Sequence, residues 1–270
     1  MTNQYQPQQY WEQRLHQHFD LTGVGHRALG PNYNQHLYKR RLETLTAGLV
    51  QLSYTLHGKK ILEIGCGTGF YTEFFNTKNI TRYLGIDITR ISVKKLKKKY
   101  PSFDFICADV ANFNTTNTEN FDIVFIADVL FHIVDDQRFK NALQNVIDCL
   151  KPGGLLIVSD VLPRETKQTA AHVRLRSYND YEQTLRSLHV DIVHIEPIFV
   201  ILQPPPIYDT PLWWNMYATF WKLVRHFIKL DIIDQTLPVL LEQLDRSFFC
   251  PKYGLELPNS KWLFAKKTEE

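Results

Sequence analysis

Gly65, Gly67 and Gly69 stand at alternate positions directly after the apolar run Ile61 to Ile64. A backbone of that kind can turn sharply and admit a ligand with no Cβ in the way. Thr68 is placed to cap a helix expected over 69–75, whose free N–H groups would face whatever lies over the turn. Roughly 20 residues on, Asp87 closes a second apolar run, where a carboxylate can accept both hydroxyls of a ribose. Asp109 and Asp128 follow two further runs, and His132 comes just after the latter. Ligands bind at this edge of an open α/β sheet, and an imidazole titrates where a general base is useful. The pattern predicts a nucleotide-like cofactor over the glycines and proton chemistry near His132. A dinucleotide fingerprint would want its third glycine at position 70, which is Phe70.

The elements that must hold these groups alternate between short apolar strands and amphipathic helices, the mark of an α/β sheet. Strands are expected over 61–64, 82–86, 104–108, 121–127, 155–159, 190–202 and 262–266. Helices are expected over 69–75, 93–100, 136–150 and 178–188, with 161–176 an irregular basic loop and Pro204 to Pro206 stopping the long sixth strand.

Taken in order, these features resemble the class I S-adenosylmethionine-dependent methyltransferases. Glu63-Ile64-Gly65-Cys66-Gly67-Thr68-Gly69 is similar to their motif I, E-x-G-x-G-x-G. Asp87, Asp109-Val110, Phe121-Asp122-Ile123-Val124 with Asp128-Val129, and Leu150-Lys151-Pro152-Gly153-Gly154 match the later motifs over residues 55 to 200. The resemblance implies a Rossmann-like, doubly wound α/β sheet of seven strands, mostly parallel with the last antiparallel. It implies a cofactor, S-adenosyl-L-methionine, held by Glu63, Gly65, Cys66, Gly67, Gly69, Asp87, Ile88, Asp109, Val110, Asp128 and Val129. Asp109 would meet the adenine amino group, with Val110 against the ring. The activity implied is methyl transfer to an oxygen or nitrogen of a small acceptor, apolar, glycolipid-like or a secondary metabolite.

Residues 1–57 read as a helical cap, 58–203 as the core, 204–253 as an aromatic helical insertion and 254–270 as the last strand and tail. Residues 1–9 are Gln-rich and expected to fray; Trp11, Leu15 and Phe19 mark a short helix. The leader Tyr10-Trp11-Glu12, Phe19 to His26 and Tyr33-Asn34 resembles that of bacterial small-molecule methyltransferases of the type 11/12-like group. In such enzymes it walls the substrate pocket, which makes His26, Tyr33, Tyr38 and Arg41 candidates; for each, packing is the competing reading. His132 is the first candidate base, with His26 and His172 in reserve.

From Leu212 to Ile228 apolar residues recur at helical spacing, with Asn215, Thr219, Lys222, Arg225 and Lys229 opposite. Three readings compete: a lid over an apolar substrate, with Trp213, Trp214 and Tyr217 against it; a packing or dimerisation helix; and a peripheral membrane contact through 212–229. Pro238 is expected to open a second helix. The lysine run from Lys94 to Lys99 lacks interleaved aromatics and reads as a solvated helix face, so no nucleic acid is expected.

A net charge of +3 over 270 residues, with 44% apolar and 22% charged, suits a globular chain and demands no polyanion. The cysteines are scattered without metal spacing; with no signal-peptide pattern and no membrane-spanning run, a cytoplasmic setting is expected. Asp128 and Asp160 end adjacent strands where some methyltransferases hold magnesium, but Val161 and Leu162 supply no further ligand, so no metal is expected. Two alternatives stay open: a nicotinamide oxidoreductase on the same fold, and a cofactor- or membrane-binding protein without turnover.

Overall fold

The central apolar runs leave no polar face for water, so the sheet they form must be covered on both sides. The structure, a computed structural model, describes residues 5–113, 120–207, 212–227 and 230–269, apart from the side chains of 212–214, 225 and 231. In chain order come α1 (Pro7–Gln17), α2 (Leu21–Val24), α3 (Pro31–Gln51), β1 (Lys60–Ile64), α4 (Phe70–Asn76), β2 (Arg82–Asp87), α5 (Arg90–Lys99) and β3 (Asp104–Cys107). Then follow β4 (Phe121–Ala127), α6 (Asp136–Asp148), β5 (Leu150–Asp160), β6 (Lys167–Ala170), β7 (Val173–Leu175), α7 (Tyr178–Ser187) and β8 (Val190–Pro197). The chain ends with α8 (Leu212–Phe227), α9 (Asp231–Leu244), α10 (Cys250–Tyr253) and β9 (Lys261–Lys267).

Seven strands pair in the order β3-β2-β1-β4-β5-β9-β8. Strand β9 runs antiparallel to both neighbours, and the other pairs are parallel. The Rossmann-like, seven-stranded fold expected from the resemblance is the one observed. Chain order reverses between β1 and β4, so the loops leaving their carboxyl ends diverge and open a crevice there.

Each face carries its own apolar layer. On one side Leu37 and Leu45 of α3 and Tyr71 and Phe75 of α4 pack on Phe125, Trp262 and Phe264. On the other, Phe139, Leu143 and Val146 of α6 and Tyr181 and Leu185 of α7 pack on Val124, Leu156 and Leu263. Helix α3 lies so close to β9 that a Cβ on Gly48 would stand 2.4 Å from the Phe264 ring.

Several local expectations are corrected. Helix α1 starts at Pro7 rather than fraying through residue 9, because proline at a first helical position costs no hydrogen bond. The basic loop holds the hairpin β6–β7. Strand β8 stops at Pro197, and the buried run Ile198 to Leu202 leaves the sheet ladder. Helix α9 begins at Asp231, so Pro238 sits inside it rather than at its start; buried Leu241 and Asp234 hold the helix where local propensity would break it.

Candidate active site

The glycine turn leaves β1 with all three glycines left-handed, at φ +77° for Gly65, +52° for Gly67 and +86° for Gly69. A Cβ on Gly65 would meet Val129 Cγ2 at 2.3 Å, so side chains are excluded by space as well as by backbone. Gly69 is itself the N-cap of α4, and no side chain caps that helix; the cap expected from Thr68 is not formed.

Asp87 fastens the turn to the end of β2. Its carboxylate accepts the Gly67 N–H at 2.8 Å on one oxygen and the Thr89 N–H at 2.8 Å and hydroxyl at 2.6 Å on the other. Burial raises this carboxyl above its ordinary value, and the Thr89 and Gly67 donors oppose the rise. Asp87 is part of the crevice wall, and the oxygen that accepts only the Gly67 N–H keeps acceptor capacity for a ligand.

Glu63 sits differently. Its carboxylate accepts from the Tyr83 hydroxyl at 2.5 Å and the Thr72 hydroxyl at 3.1 Å beneath the turn. Burial pushes it up to about 7, against the lowering by those two donors. It forms no part of the crevice wall, and neither does Gly69. Alternation along β1 puts Glu63 on the Ile61 side, facing α4, and this period-two signal was present in the sequence.

The crevice is a cavity of about 1700 Å³ over the carboxyl ends of β1, β2 and β4. Gly65, Cys66, Gly67, Ile88, Val110 and Val129 line it together with Asp87, Asp109 and Asp128. Asp109 accepts the Ala111 N–H at 3.0 Å and pairs with Arg138 of α6. Arg138 also lines the cavity and was missed in the sequence, where it is one charge on an amphipathic helix.

Asp128 stands at φ +57°, an uncommon backbone for a residue other than glycine and one found at functional sites. Arg41 of α3 grips both of its oxygens, at 3.2 and 3.0 Å, and the Ser159 hydroxyl donates to one of them at 2.8 Å. The carboxylate is a neutralised fixture of the wall. Asp160 faces inward, accepting from the Tyr181 hydroxyl at 2.5 Å. Among the described residues no group of His, Cys, Asp or Glu side chains is placed to hold a metal ion.

Helix α1 roofs the cavity. The Glu12 carboxylate accepts the Arg90 and Ile91 N–H groups at 2.7 and 3.1 Å at the start of α5. Arg14 donates to the Gly23 and Gly25 carbonyls at 2.5 and 2.8 Å. Trp11 meets the His132 ring edge-on at 4.8 Å. Sequence reasoning put Trp11 and Glu12 in a leader that walls the pocket but named neither among the candidate residues.

His132 lines the cavity, with Nδ1 2.8 Å from the His172 carbonyl oxygen. That oxygen can only accept, so Nδ1 carries the proton and Nε2 presents its lone pair. Burial pushes His132 down to about 4, the His172 carbonyl opposing. The imidazole is therefore neutral through the physiological range.

Of the cap candidates, Tyr38 lines the cavity and packs on Phe70 at 4.7 Å, and Arg41 reaches it through Asp128. Tyr33 is fully buried and donates to the Leu202 carbonyl at 2.7 Å, and His26 is not on the wall. Tyr217 donates to the Gln203 carbonyl at 3.0 Å, under α8 and off the wall. The side chains of Trp213 and Trp214 lie outside the described residues.

A family model described as a methyltransferase domain matches residues 61–154, the stretch from β1 into β5. A phthiotriol/phenolphthiotriol dimycocerosates methyltransferase of Mycobacterium ulcerans (strain Agy99) is 31% identical over 121 residues, 44% of this chain and 42% of the relative. A ubiquinone biosynthesis O-methyltransferase of Coxiella burnetii is 25% identical over 175 residues, 55% of this chain and 73% of the relative. The chain thus spans less than half the length of the mycobacterial relative. Among solved structures, a putative sarcosine dimethylglycine methyltransferase from Galdieria sulphuraria superposes with a TM-score of 0.56 at 12% identity, covering 84% of each chain, which speaks for the fold. The left-handed glycine turn, the acid bound to its backbone and the match over residues 61–154 make this part of the chain similar to a methyltransferase domain.

Proposed function

We propose that this chain transfers a methyl group from S-adenosyl-L-methionine to an oxygen or nitrogen of a small apolar acceptor. The observation that carries the reading is Asp87, bonded to the Gly67 N–H on the floor of a cavity roofed by α1. When bound, the cofactor supplies a methyl group already activated on a sulfonium. Asp87 would hold the ribose, and Asp109 with Val110 the adenine end. The glycine turn fits such a group because Gly65 and Gly67 line the cavity with backbone alone, in left-handed conformations that favour glycine.

The remaining work belongs to the chain's own residues. Trp11 and the rest of α1 exclude water from the cavity, which favours a positioned nucleophile over hydrolysis. Neutral His132 accepts the acceptor's proton at Nε2, while the His172 carbonyl holds the ring in that tautomer. Tyr38 and Phe70 furnish an apolar wall, consistent with a greasy acceptor. The two relatives named above are named for phthiotriol/phenolphthiotriol dimycocerosates and for ubiquinone biosynthesis, which supports an apolar acceptor here.

Calorimetric titration with S-adenosylhomocysteine, with NADH in parallel, tests the cofactor. Micromolar binding of the first alone is expected, and binding of NADH alone would overturn the reading. His132→Ala is expected to lower turnover about 100-fold, the lower end of general-base contributions, while affinity for S-adenosylhomocysteine is retained. Because the buried imidazole is neutral down to about pH 4, kcat/KM should stay level as pH falls through 6.5. An acid limb at 6.5 that persists in His132→Ala would exclude this residue as the base.

A further inference from the structure

His132 takes its tautomer from a carbonyl on another element, so something must hold the two together. That carbonyl belongs to His172, at the tip of the hairpin β6–β7, where Ala171 also lines the cavity. The His172 ring lies against His132 at 5.6 Å with the planes 10° apart, and against Tyr10 of α1 at 5.0 Å. A two-stranded hairpin is marginal by itself and needs ties from elsewhere. Val173 and Leu175 of β7 share a small apolar cluster with Phe131, the neighbour of His132 in the 3-10 turn Leu130–His132. Apolar contact is non-directional, so it does not set how a carbonyl meets an imidazole.

Direction comes from Arg176, the residue that follows β7. Its Nη2 donates to the Ile133 carbonyl at 2.9 Å and the Asp136 carboxylate at 3.0 Å, with the Asp135 carbonyl at 3.4 Å. The guanidinium carbon lies 3.9 Å from the centre of the Phe139 ring of α6, and the side chain is only 3% exposed. Arg174 of β7 takes the other Asp136 oxygen at 2.8 Å. One acid at the start of α6 thus holds two arginines of the hairpin, and Ile133 is the residue next to His132. Neither arginine is on the cavity wall.

We propose that Arg176, with Arg174 and Asp136, is a positioning residue: it clamps the hairpin to the turn of His132 and so fixes the bond from Nδ1–H to the His172 carbonyl. The inference rests on the reading of His132 as the base. Burying a guanidinium costs free energy that pairing only offsets, and a planar fork answers that cost with fixed geometry. With the clamp opened, the ring is free to carry its proton on Nε2. That nitrogen must be bare to take a proton from the acceptor. Arg176→Lys keeps the positive charge but loses the fork that meets two acceptors and stacks on Phe139.

The test reads the tautomer directly, by nitrogen NMR of the histidine rings in the isotope-labelled full chain, with the His132 signals assigned by their loss in His132→Gln. In the parent, Nδ1 is expected to carry the proton. In Arg176→Lys a share of the Nε2–H form should appear. Asp136→Asn should do the same, and it removes an exposed carboxylate, so the fold is less at risk. Turnover is expected to fall about tenfold in both, the scale on which misplacing a catalytic group acts. Affinity for S-adenosylhomocysteine should stay at the parental value. A parent ring protonated on Nε2, or folded variants whose Nδ1 keeps its proton in full, overturns the proposal even if turnover falls. The tautomer is read without cofactor or acceptor. A chain that binds no S-adenosylhomocysteine would therefore sink the methyl-transfer reading and leave the NMR result to decide the clamp.

Discussion

Asp87→Ala is expected to weaken binding of S-adenosylhomocysteine about 100-fold, close to 2.7 kcal/mol. Two losses combine. The ribose hydroxyls lose a charged acceptor, and each such bond contributes about 1.5–3 kcal/mol. The Gly67 N–H and the Thr89 N–H and hydroxyl also lose their partner, which loosens the turn that must stay left-handed. Asp87→Asn separates the two. It keeps an acceptor for one side but turns an N–H₂ toward donors on the other, so an intermediate loss is expected. Titration calorimetry on both variants, with melting curves alongside, reads the result. If Asp87→Ala binds as tightly as the parent, the ribose assignment fails whatever the fold does.

Asp245→Ala is expected to cost about 3–5 kcal/mol of stability and about 10 °C in Tm, the scale for several orphaned buried donors in a chain this long. Asp245 is fully buried at the start of the π-helical stretch that continues α9. Its two oxygens accept the N–H groups of Val200, Ile201 and Leu202, all between 2.9 and 3.2 Å. Those residues have left the sheet ladder and sit buried, so alanine leaves three amides without water or partner. Asp245→Asn retains one accepting oxygen and should recover part of the loss. Thermal unfolding followed by circular dichroism decides it: a fall below about 1 kcal/mol would mean the amides are satisfied in another way.

The fate of residues 198–202 shows where sequence reading stops. Ile198-Phe199-Val200-Ile201-Leu202 is all apolar and reads as the end of a long strand. The same composition suits any fully buried backbone, and the structure satisfies its polar groups from afar. Arg40 of α3 donates to the Ile198 carbonyl at 3.1 Å, Asn259 to that of Phe199 at 2.9 Å, and Tyr33 to that of Leu202 at 2.7 Å. No local pattern announces partners that distant.

The cofactor side of the site divides in the same way. Gly65, Gly67 and Asp87 were legible because a left-handed turn and a strand-ending acid are local requirements with few residue solutions. Whether a carboxylate faces the crevice depends on what packs beneath it. Glu63, in the same motif, is drawn under the turn by Tyr83 and Thr72. Arg41 was a candidate by its place in the leader, but only the fold closes it on Asp128, 87 positions away.

What the sequence by itself determined is the sheet, its alternation with helices, the glycine turn and the acid that locks it. Each follows from periodicity or from a backbone conformation that one residue type tolerates. What only the tertiary structure decided is the roof and the outer face. Glu12 reaches the start of α5 78 positions along the chain, and Asp234 caps α3 201 positions back from its own place. Those pairings turned α1 into the cover of the cavity and left apolar side chains of α8 and α9 exposed on the outer face. The physical reason is that such contacts pair side chains distant in sequence. Their free energy is set by mutual burial and geometry, and no window of neighbouring residues contains that information.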